Sequence, residues 1–241
     1  MSKTLTSDSL QAMAQQESIE DPGQFWLQQA HELLHWTVKP KQALSATPPE
    51  QLHKAQWFPD GHLNLCYNAI DRHVENGRGS QTAVIYDSPV TDTIKKYTYD
   101  ELLREVKAFA SVLRAHGVSK GDVVLFYMTM VPQTLIAMLA CVRLGAVHSV
   151  VFGGFAPPEL AKRIRDCQPK VILTNTCGLE SKTKVVAYKP LLDLALDIAE
   201  YRPGSVIVLQ REQLRVKLDA AKSEYYWDEQ VAKHFAGSHD L

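Results

Sequence analysis

A short segment near the N-terminus carries the residue types of a zinc hydrolase site. His31, Glu32 and His35 follow the H-E-x-x-H spacing, in which two histidines one helical turn apart bind zinc and the glutamate activates water. Such a site needs a third protein ligand, yet Val38 and Lys41 stand where a continued motif would place glycine and histidine. We keep zinc hydrolysis only as an alternative hypothesis and expect no metal ligand here. The favoured interpretation is an amphipathic helix with both histidines at its edge.

A second candidate is a Gly-Gly turn that follows a predicted strand. Gly153 and Gly154 let the backbone approach a ligand closely and leave N–H groups free, while Phe152 and Phe155 could cover a flat ring. The same glycines could instead serve only as a tight strand-to-helix turn. The pattern is neither the dinucleotide-binding G-x-G-x-x-G nor a phosphate-binding Walker loop.

A third candidate is the loop 174–184, with the sequence TNTCGLESKTK. Small hydroxyl and amide side chains precede Lys182 and Lys184, and such groups can bind phosphate oxygens. A solvated loop with an ordinary charge pair is the competing interpretation. Nothing else suggests a catalytic residue, because the chain has no G-x-S-x-G elbow and Cys141 lies on an apolar helix face that predicts a core position.

The elements that position these loops follow from apolar periodicity. After Gly79 strands alternate with helices, and Thr98 and Glu101 form a T-x-x-E capping box at the start of one helix. The predicted strands are 82–87, 94–99, 123–128, 146–152, 170–175 and 205–210. The predicted fold class is therefore α/β with a mostly parallel, doubly wound sheet. Ligands of such sheets bind beyond the carboxyl ends of the strands, where both loops lie.

The first part of the chain has a different pattern. Helical spacing of apolar residues predicts helices over 24–36 and 64–74, separated by a proline-rich loop. We therefore predict two regions: an N-terminal helical extension over 1–79, and over 80–241 the first, incomplete α/β subdomain.

Composition narrows the classes of partner. Of the 241 residues 45% are hydrophobic, and the formal net charge of -1 is spread evenly, which argues against nucleic acid or an anionic membrane as a partner. The longest apolar run, 135–142, is far shorter than the roughly 20 residues of a membrane span. The N-terminus lacks a signal-peptide core, and its four acidic residues disfavour a mitochondrial presequence. We expect a cytoplasmic protein.

Long stretches of the sequence resemble the short-chain acyl-CoA synthetases of the acetyl- and propionyl-CoA synthetase type, within the adenylate-forming enzymes. The resemblance covers about 190 residues, including DPGQFWLQQAHELLHW (21–36), 57–79 and 120–174. The segments YDSPVTDTIKKYTYDELL (86–103) and GGFAPPELAKRI (153–164) are more similar to the propionate enzymes than to the acetate enzymes. The resemblance implies that the α/β region is part of the adenylate-forming N-terminal domain.

The resemblance also implies an activity. A short carboxylate attacks the α-phosphate of Mg-ATP to give an acyl-adenylate and pyrophosphate, and the CoA thiol then displaces AMP. In acetyl-CoA synthetases the CoA nucleotide rests on a Phe-Gly-Gly turn, which matches Phe152, Gly153 and Gly154. It also rests on a four-residue segment, which matches Glu180, Ser181, Lys182 and Thr183. The acetate enzymes often place two arginines there, whereas Lys182 is the only cation in this segment and Lys184 is its neighbouring substitute.

The matched region is roughly the first third of such an enzyme. The family's phosphate loop, adenine contacts, acyl pocket and catalytic lysine all follow the matched region, so we expect no catalytic residue within this chain and no adenylation by it alone. The alternative hypothesis is a non-catalytic CoA-binding or dimerising module, and oligomerisation is left open.

Overall fold

A computed structural model of the chain describes residues 7–46 and 48–235. These residues form two compact units, the first ending at Asn64 and the second beginning at Leu65. The predicted domain boundary between residues 79 and 80 stays a prediction. Within the described ranges, no helix is both long and apolar enough to cross a membrane.

The first unit is mainly helical. It contains α1 (Ser7–Glu20), α2 (Pro22–Leu33) and a 3-10 helix (Pro49–Lys54). Asp21 caps α2, because its Oδ1 accepts the N–H of Gln24 at 3.0 Å. Isolated antiparallel bridges then join Val38 to His62 and Leu44 to Trp57.

The second helix is shorter than the predicted helix over 24–36. Trp36 folds back, and its indole N–H donates to the carbonyl of Ala30 at 2.8 Å. The chain is already extended at Leu34, so that α2 contains His31 but not His35. Leu33, which would anchor a longer helix, is 61% exposed. The Ala30 carbonyl thus accepts two N–H groups, that of Leu34 at 3.2 Å and that of the Trp36 indole, which holds the chain folded back after the helix ends.

The second unit begins with helical turns that contain two π-helical segments, Tyr67–Asp71 and Val74–Arg78. The first lies within the predicted helix 64–74, and the second extends past its end. Its strands are β1 (Thr82–Ser88), β2 (Thr93–Thr98), β3 (Val123–Tyr127), β4 (Val147–Val150), β5 (Val171–Asn175), β6 (Cys177–Leu179), β7 (Val185–Ala187), β8 (Ser205–Leu209) and β9 (Glu224–Tyr226). Its α-helices are α3 (Tyr99–Ala115), α4 (Pro132–Leu144), α5 (Pro157–Cys167), α6 (Tyr188–Ala199) and α7 (Trp227–His234). The predicted capping box is confirmed, since Thr98 and Glu101 make both reciprocal bonds at the start of α3.

The predicted α/β fold is confirmed by a parallel five-stranded sheet. The strand order is β4-β3-β5-β8-β9, and every neighbouring pair is parallel. The connection from β3 to β4 runs in one direction across the sheet, and those from β5 to β8 and β9 run in the other. Right-handed crossovers therefore place helices on both faces.

Alternation along β3 separates the two halves of the core. Val124 and Phe126 pack in the cluster that includes α3 and α4, whereas Leu125 and Tyr127 pack in the cluster that includes α5 and α6. All four side chains are fully buried, which is why this strand is apolar on both faces. The reversal of direction between β3 and β5 leaves a crevice at their carboxyl ends, the usual position of a ligand in such sheets.

Candidate functional site

The Gly-Gly turn connects β4 to α5 at the carboxyl edge of the sheet. The N–H of Phe155 donates to the carbonyl of Phe152 at 3.0 Å and closes the turn. The Phe152 ring is 71% exposed and meets the Phe155 ring edge-on, with centroids 5.9 Å apart. A Cβ on Gly154 would overlap the Phe152 ring, so glycine permits that ring to lie over the backbone. The turn thus presents an exposed aromatic face of the kind on which bases stack.

The predicted loop 174–184 is partly a hairpin. Thr174 and Asn175 end β5, Cys177–Leu179 form β6, and β6 pairs antiparallel with β7, which begins directly after Lys184. Glu180, Ser181, Lys182 and Thr183 lie at the tip. The N–H of Glu180 donates to the carbonyl of Lys184 at 3.0 Å. The Ser181 hydroxyl oxygen accepts the N–H groups of Thr183 at 3.3 Å and of Lys184 at 3.1 Å. These two amides are therefore occupied within the tip.

Both lysines near the tip are paired with carboxylates. Lys182 Nζ lies 2.7 Å from both carboxylate oxygens of Asp92, in the turn between β1 and β2, and Lys184 Nζ lies 2.5 Å from Glu180. All four side chains are exposed. Exposed pairs contribute about 0–1 kcal/mol, so a phosphate could replace the carboxylates at small cost.

Tyr188 joins the two loops. It is the first residue of α6, and its ring stacks on Tyr127 with centroids 4.9 Å apart at an angle of 26°. A Cβ on Gly153 would overlap the Tyr188 hydroxyl, and one on Gly178 would lie 2.8 Å from Tyr188 Cε1. The Tyr127 hydroxyl donates to the carbonyl of Phe155 at 3.1 Å. One pair of stacked rings thus supports the Gly-Gly turn and the base of the hairpin.

The two tyrosines are neutral supports. Burial raises the pKa of Tyr127 to about 12, with a smaller contribution from Tyr188. Burial, followed by the negative charge of Glu180, also raises the pKa of Tyr188. This pair was not predicted from the sequence, because no local spacing relates either tyrosine to the glycines that it contacts.

The structure offers no support for the zinc hypothesis. Across residues 7–46 and 48–235, no three His, Cys, Asp or Glu side chains come together as metal ligands. His31 Nε2 lies 2.8 Å from the carbonyl oxygen of Pro40, and His35 follows the end of the helix that the motif requires. Burial raises the pKa of Cys141 to about 12, which agrees with its predicted place in the core.

Comparison with known protein families covers nearly the whole chain. Residues 70–240 match the family model described as AMP-binding enzyme, and residues 11–69 match the model described as acetyl-coenzyme A synthetase N-terminus. The human and mouse proteins named acyl-CoA synthetase short-chain family member 3, mitochondrial, are 43% and 45% identical over 223 residues, 92% of this chain and 32% of each relative. An uncharacterized protein of Pseudomonas aeruginosa is 54% identical over 201 residues, 83% of this chain and 31% of the relative.

The fold has a counterpart among solved structures. Acetoacetyl-CoA synthetase from Streptomyces lividans matches with a TM-score of 0.77 at 22% identity, over 96% of this chain and 33% of that one. The chain spans about a third of the length of the curated relatives that it matches. The two family models together account for residues 11–240. The chain therefore belongs to the AMP-binding enzyme family, and it is similar over most of its length to the first third of short-chain acyl-CoA synthetases.

Proposed function

We propose that this chain provides part of the CoA nucleotide site of an AMP-forming short-chain acyl-CoA ligase. The observation that carries the proposal is the support of both strand-end loops by Tyr188, through Gly153 and Gly178. In this proposal the adenine of CoA stacks on Phe152 over Gly153 and Gly154, where the ring is already exposed. The tip from Glu180 to Thr183 lies at the other end of the same support.

The phosphates of CoA are assigned to the hairpin tip. Lys182 and Lys184 would exchange their carboxylate partners, Asp92 and Glu180, for phosphate oxygens that carry more charge. Because Ser181 already accepts two of the backbone N–H groups, the lysine side chains are the main donors that remain there. In this proposal Lys182 and Lys184 take the place of the arginines that the acetate enzymes often have in this segment.

The proposed overall reaction joins a short carboxylate to CoA, with propionate favoured over acetate, while ATP is cleaved to AMP and pyrophosphate. The support for propionate is the sequence of the β1–β2 hairpin and of the Gly-Gly turn. Mg²⁺ would accompany ATP, and we assign no ligand for it to the described residues, which contain no cluster of metal-binding side chains. The substrates are small molecules, and we propose neither nucleic acid nor membrane as a partner.

The proposed activity of these 241 residues is binding without catalysis. They contain no Ser/Thr/Gly-rich phosphate loop, so we expect CoA binding but no exchange of label between pyrophosphate and ATP in the presence of propionate. Exchange by the purified chain would contradict this. We also propose a cytoplasmic location from the acidic N-terminus, although the matched human relative is named as mitochondrial. Fractionation of cells that express the tagged chain tests this location.

Calorimetry with CoA tests the site. We expect saturable binding that Phe152→Ala weakens roughly tenfold, because stacking of a base on an aromatic ring contributes about 1–3 kcal/mol. Ile94→Ala, which removes another exposed apolar side chain from the β1–β2 hairpin, is the matched control and should leave CoA affinity unchanged. The absence of heat at millimolar CoA, or equal affinity of the Phe152→Ala variant and the original chain, would refute the proposed site.

A further inference from the structure

A groove lies at the carboxyl edge of the sheet, the same edge as the two loops proposed to bind CoA. It has a volume of about 380 Å³ and lies between the β1–β2 hairpin, the start of α4 and the residues that follow β8. None of the predicted CoA-binding residues lines it. It is adjacent to the crevice where the chain reverses direction between β3 and β5.

Arg211 supplies the first positive charge of the groove. Its backbone N–H donates to Thr176 Oγ1 at 2.9 Å, and its Nη1 donates to Thr129 Oγ1 at 3.2 Å. No carboxylate of the described residues lies within 4.0 Å of the Arg211 side-chain nitrogens. A guanidinium has five N–H donors, so most of them remain available to a ligand.

Lys95 supplies a second charge from the opposite wall. It lies on β2 opposite Tyr86, and its ammonium is 4.3 Å from the centroid of the Tyr97 ring. No described carboxylate lies within 4.0 Å of this ammonium either. Side chains alternate along a strand, so Lys96 lies on the outer face of the hairpin and is absent from the groove lining.

The start of α4 supplies a third positive contribution. Val131, Pro132 and Gln133 line the groove, and the helix that they begin is 13 residues long. No side chain caps this helix, because its N-cap residue is Val131. The positive end of the helix dipole thus faces the groove, although Pro132 has no N–H and the N–H of Thr134 already donates to the carbonyl of Val131 at 2.9 Å. Glu212 is the one carboxylate among the lining residues.

A buried amide lies beside this arrangement. Asn175 ends β5 and is fully buried, and its Oδ1 accepts the N–H of Thr129, the residue whose hydroxyl binds Arg211. Its Nδ2 has no acceptor among the described residues. Asn175 does not line the groove, so its role here is to hold Thr129, which in turn binds the Arg211 guanidinium.

We propose that the groove binds a diphosphate group, separately from the CoA loops. Two cations without carboxylate partners and a helix N-terminus match a ligand with at least two negative charges, and the guanidinium fork matches phosphate oxygens. A ligand with a single carboxylate carries one negative charge, so it would engage only some of these positive groups. The proposal does not depend on CoA binding.

Calorimetry with inorganic pyrophosphate, at constant ionic strength, tests the groove. Arg211→Gln and Lys95→Gln should each weaken binding roughly tenfold, because each removes charge-assisted hydrogen bonds. Lys96→Gln and Arg215→Gln remove exposed cations that do not line the groove, and they should change affinity by less than about twofold. Lys95 is exposed on the hairpin, so its variant should fold even if the Arg211 variant does not.

Further arms identify the source of the ligand and separate the two sites. Replacing pyrophosphate with ADP shows whether the groove prefers a free diphosphate or one carried by a nucleotide. Binding of either ligand supports the site, provided that Lys95→Gln weakens that binding. The Phe152→Ala variant should bind pyrophosphate normally whatever its affinity for CoA. The proposal is overturned if neither ligand binds saturably, or if the Lys96 and Arg215 variants lose as much affinity as the Lys95 variant.

Discussion

The hydroxyl of Tyr188 lies so close to Gly153 that any side chain at position 153 would overlap it. The same ring limits Gly178 through Cε1, which would be 2.8 Å from a Cβ there. Neither glycine is among those with a positive φ. Both are therefore required by the approach of an aromatic ring rather than by the backbone conformation.

The two glycines give a prediction with a built-in control. Gly153→Ala and Gly178→Ala should each lower the free energy of unfolding by about 1–3 kcal/mol, the usual cost of overpacking, measured by urea denaturation. Tyr188→Phe removes the atom nearest Gly153 but keeps the ring carbons beside Gly178. In that background the cost of Gly153→Ala should fall, while that of Gly178→Ala should persist. Equal relief of both variants would contradict the observed packing.

The ion pair of Arg143 and Asp71 gives a second prediction. Two bonds of 2.8 Å join them, and their side chains are only 11% and 10% exposed. Asp71→Ala should cost about 3–5 kcal/mol in the free energy of unfolding, because it leaves a buried guanidinium without its counter-charge.

Two comparisons check the role of the buried pair. The double variant Asp71→Leu with Arg143→Met should be more stable than Asp71→Ala alone, since no uncompensated charge remains. Glu159→Ala breaks the exposed pair with Lys162 and should lower the free energy of unfolding far less, because water solvates both charges. A similar cost for Asp71→Ala and Glu159→Ala would show that burial contributes nothing.

Asp122 predicts a dependence of stability on acid. The hydroxyl and backbone N–H of Ser119 and the ammonium of Lys170 bind its carboxylate and lower its pKa to about 2. Because the folded-state pKa lies below the unfolded value of about 3.9, this group stabilises the fold above that pH and loses its contribution as the pH falls towards 2.

The free energy of unfolding, measured from pH 5 down to pH 2, tests this assignment. The decrease should be shallower in Asp122→Asn than in the original chain, because asparagine does not titrate. Ser119→Ala removes the strongest bond to the carboxylate and should give an intermediate slope. An unchanged slope in both variants would assign the acid sensitivity to other carboxylates.

The elements that were predicted correctly from the sequence are those whose signals are local. The apolar run of β3, the largely apolar runs of β5 and β8, and the turn from Phe152 to Gly154 were recognisable because each signal lies within a few residues. Two helices illustrate what local patterns miss. α1 has no apolar stripe in its sequence, and its described side chains are almost all exposed. α2 ends at Leu33, and the chain beyond it folds back through the bond from Trp36 to Ala30, which no local pattern predicts.

The parts of the site that were missed depend on contacts between distant residues. β6 and β7 have three residues each, too few for alternation to identify them, and they appear only because they pair with each other. Tyr127 and Tyr188 come from different elements and meet only in the folded sheet. The ion pairs of Lys182 with Asp92 and of Lys184 with Glu180 were likewise not predicted, although both lysines were named as candidate phosphate-binding residues.

The capping box of α3 joins a sequence prediction to a measurable energy. Thr98 Oγ1 accepts the N–H of Glu101 at 3.2 Å, and a carboxylate oxygen of Glu101 accepts the N–H of Thr98 at 2.9 Å. These bonds to Thr98 also hold the pKa of Glu101 below its usual value. Thr98→Ala should therefore cost about 1 kcal/mol in the free energy of unfolding, whereas Thr98→Ser, which keeps the hydroxyl, should cost much less.

The reciprocity of the box can be measured with a double-mutant cycle. Thr98→Ala with Glu101→Ala should cost less than the sum of the single variants, because either change alone already disturbs the shared geometry. The same variants should unfold in one transition, since α3 packs in the core cluster that contains β3 and α4. Strict additivity would mean that the two bonds act independently, and equal costs for the alanine and serine variants would show that the hydroxyl does not cap the helix.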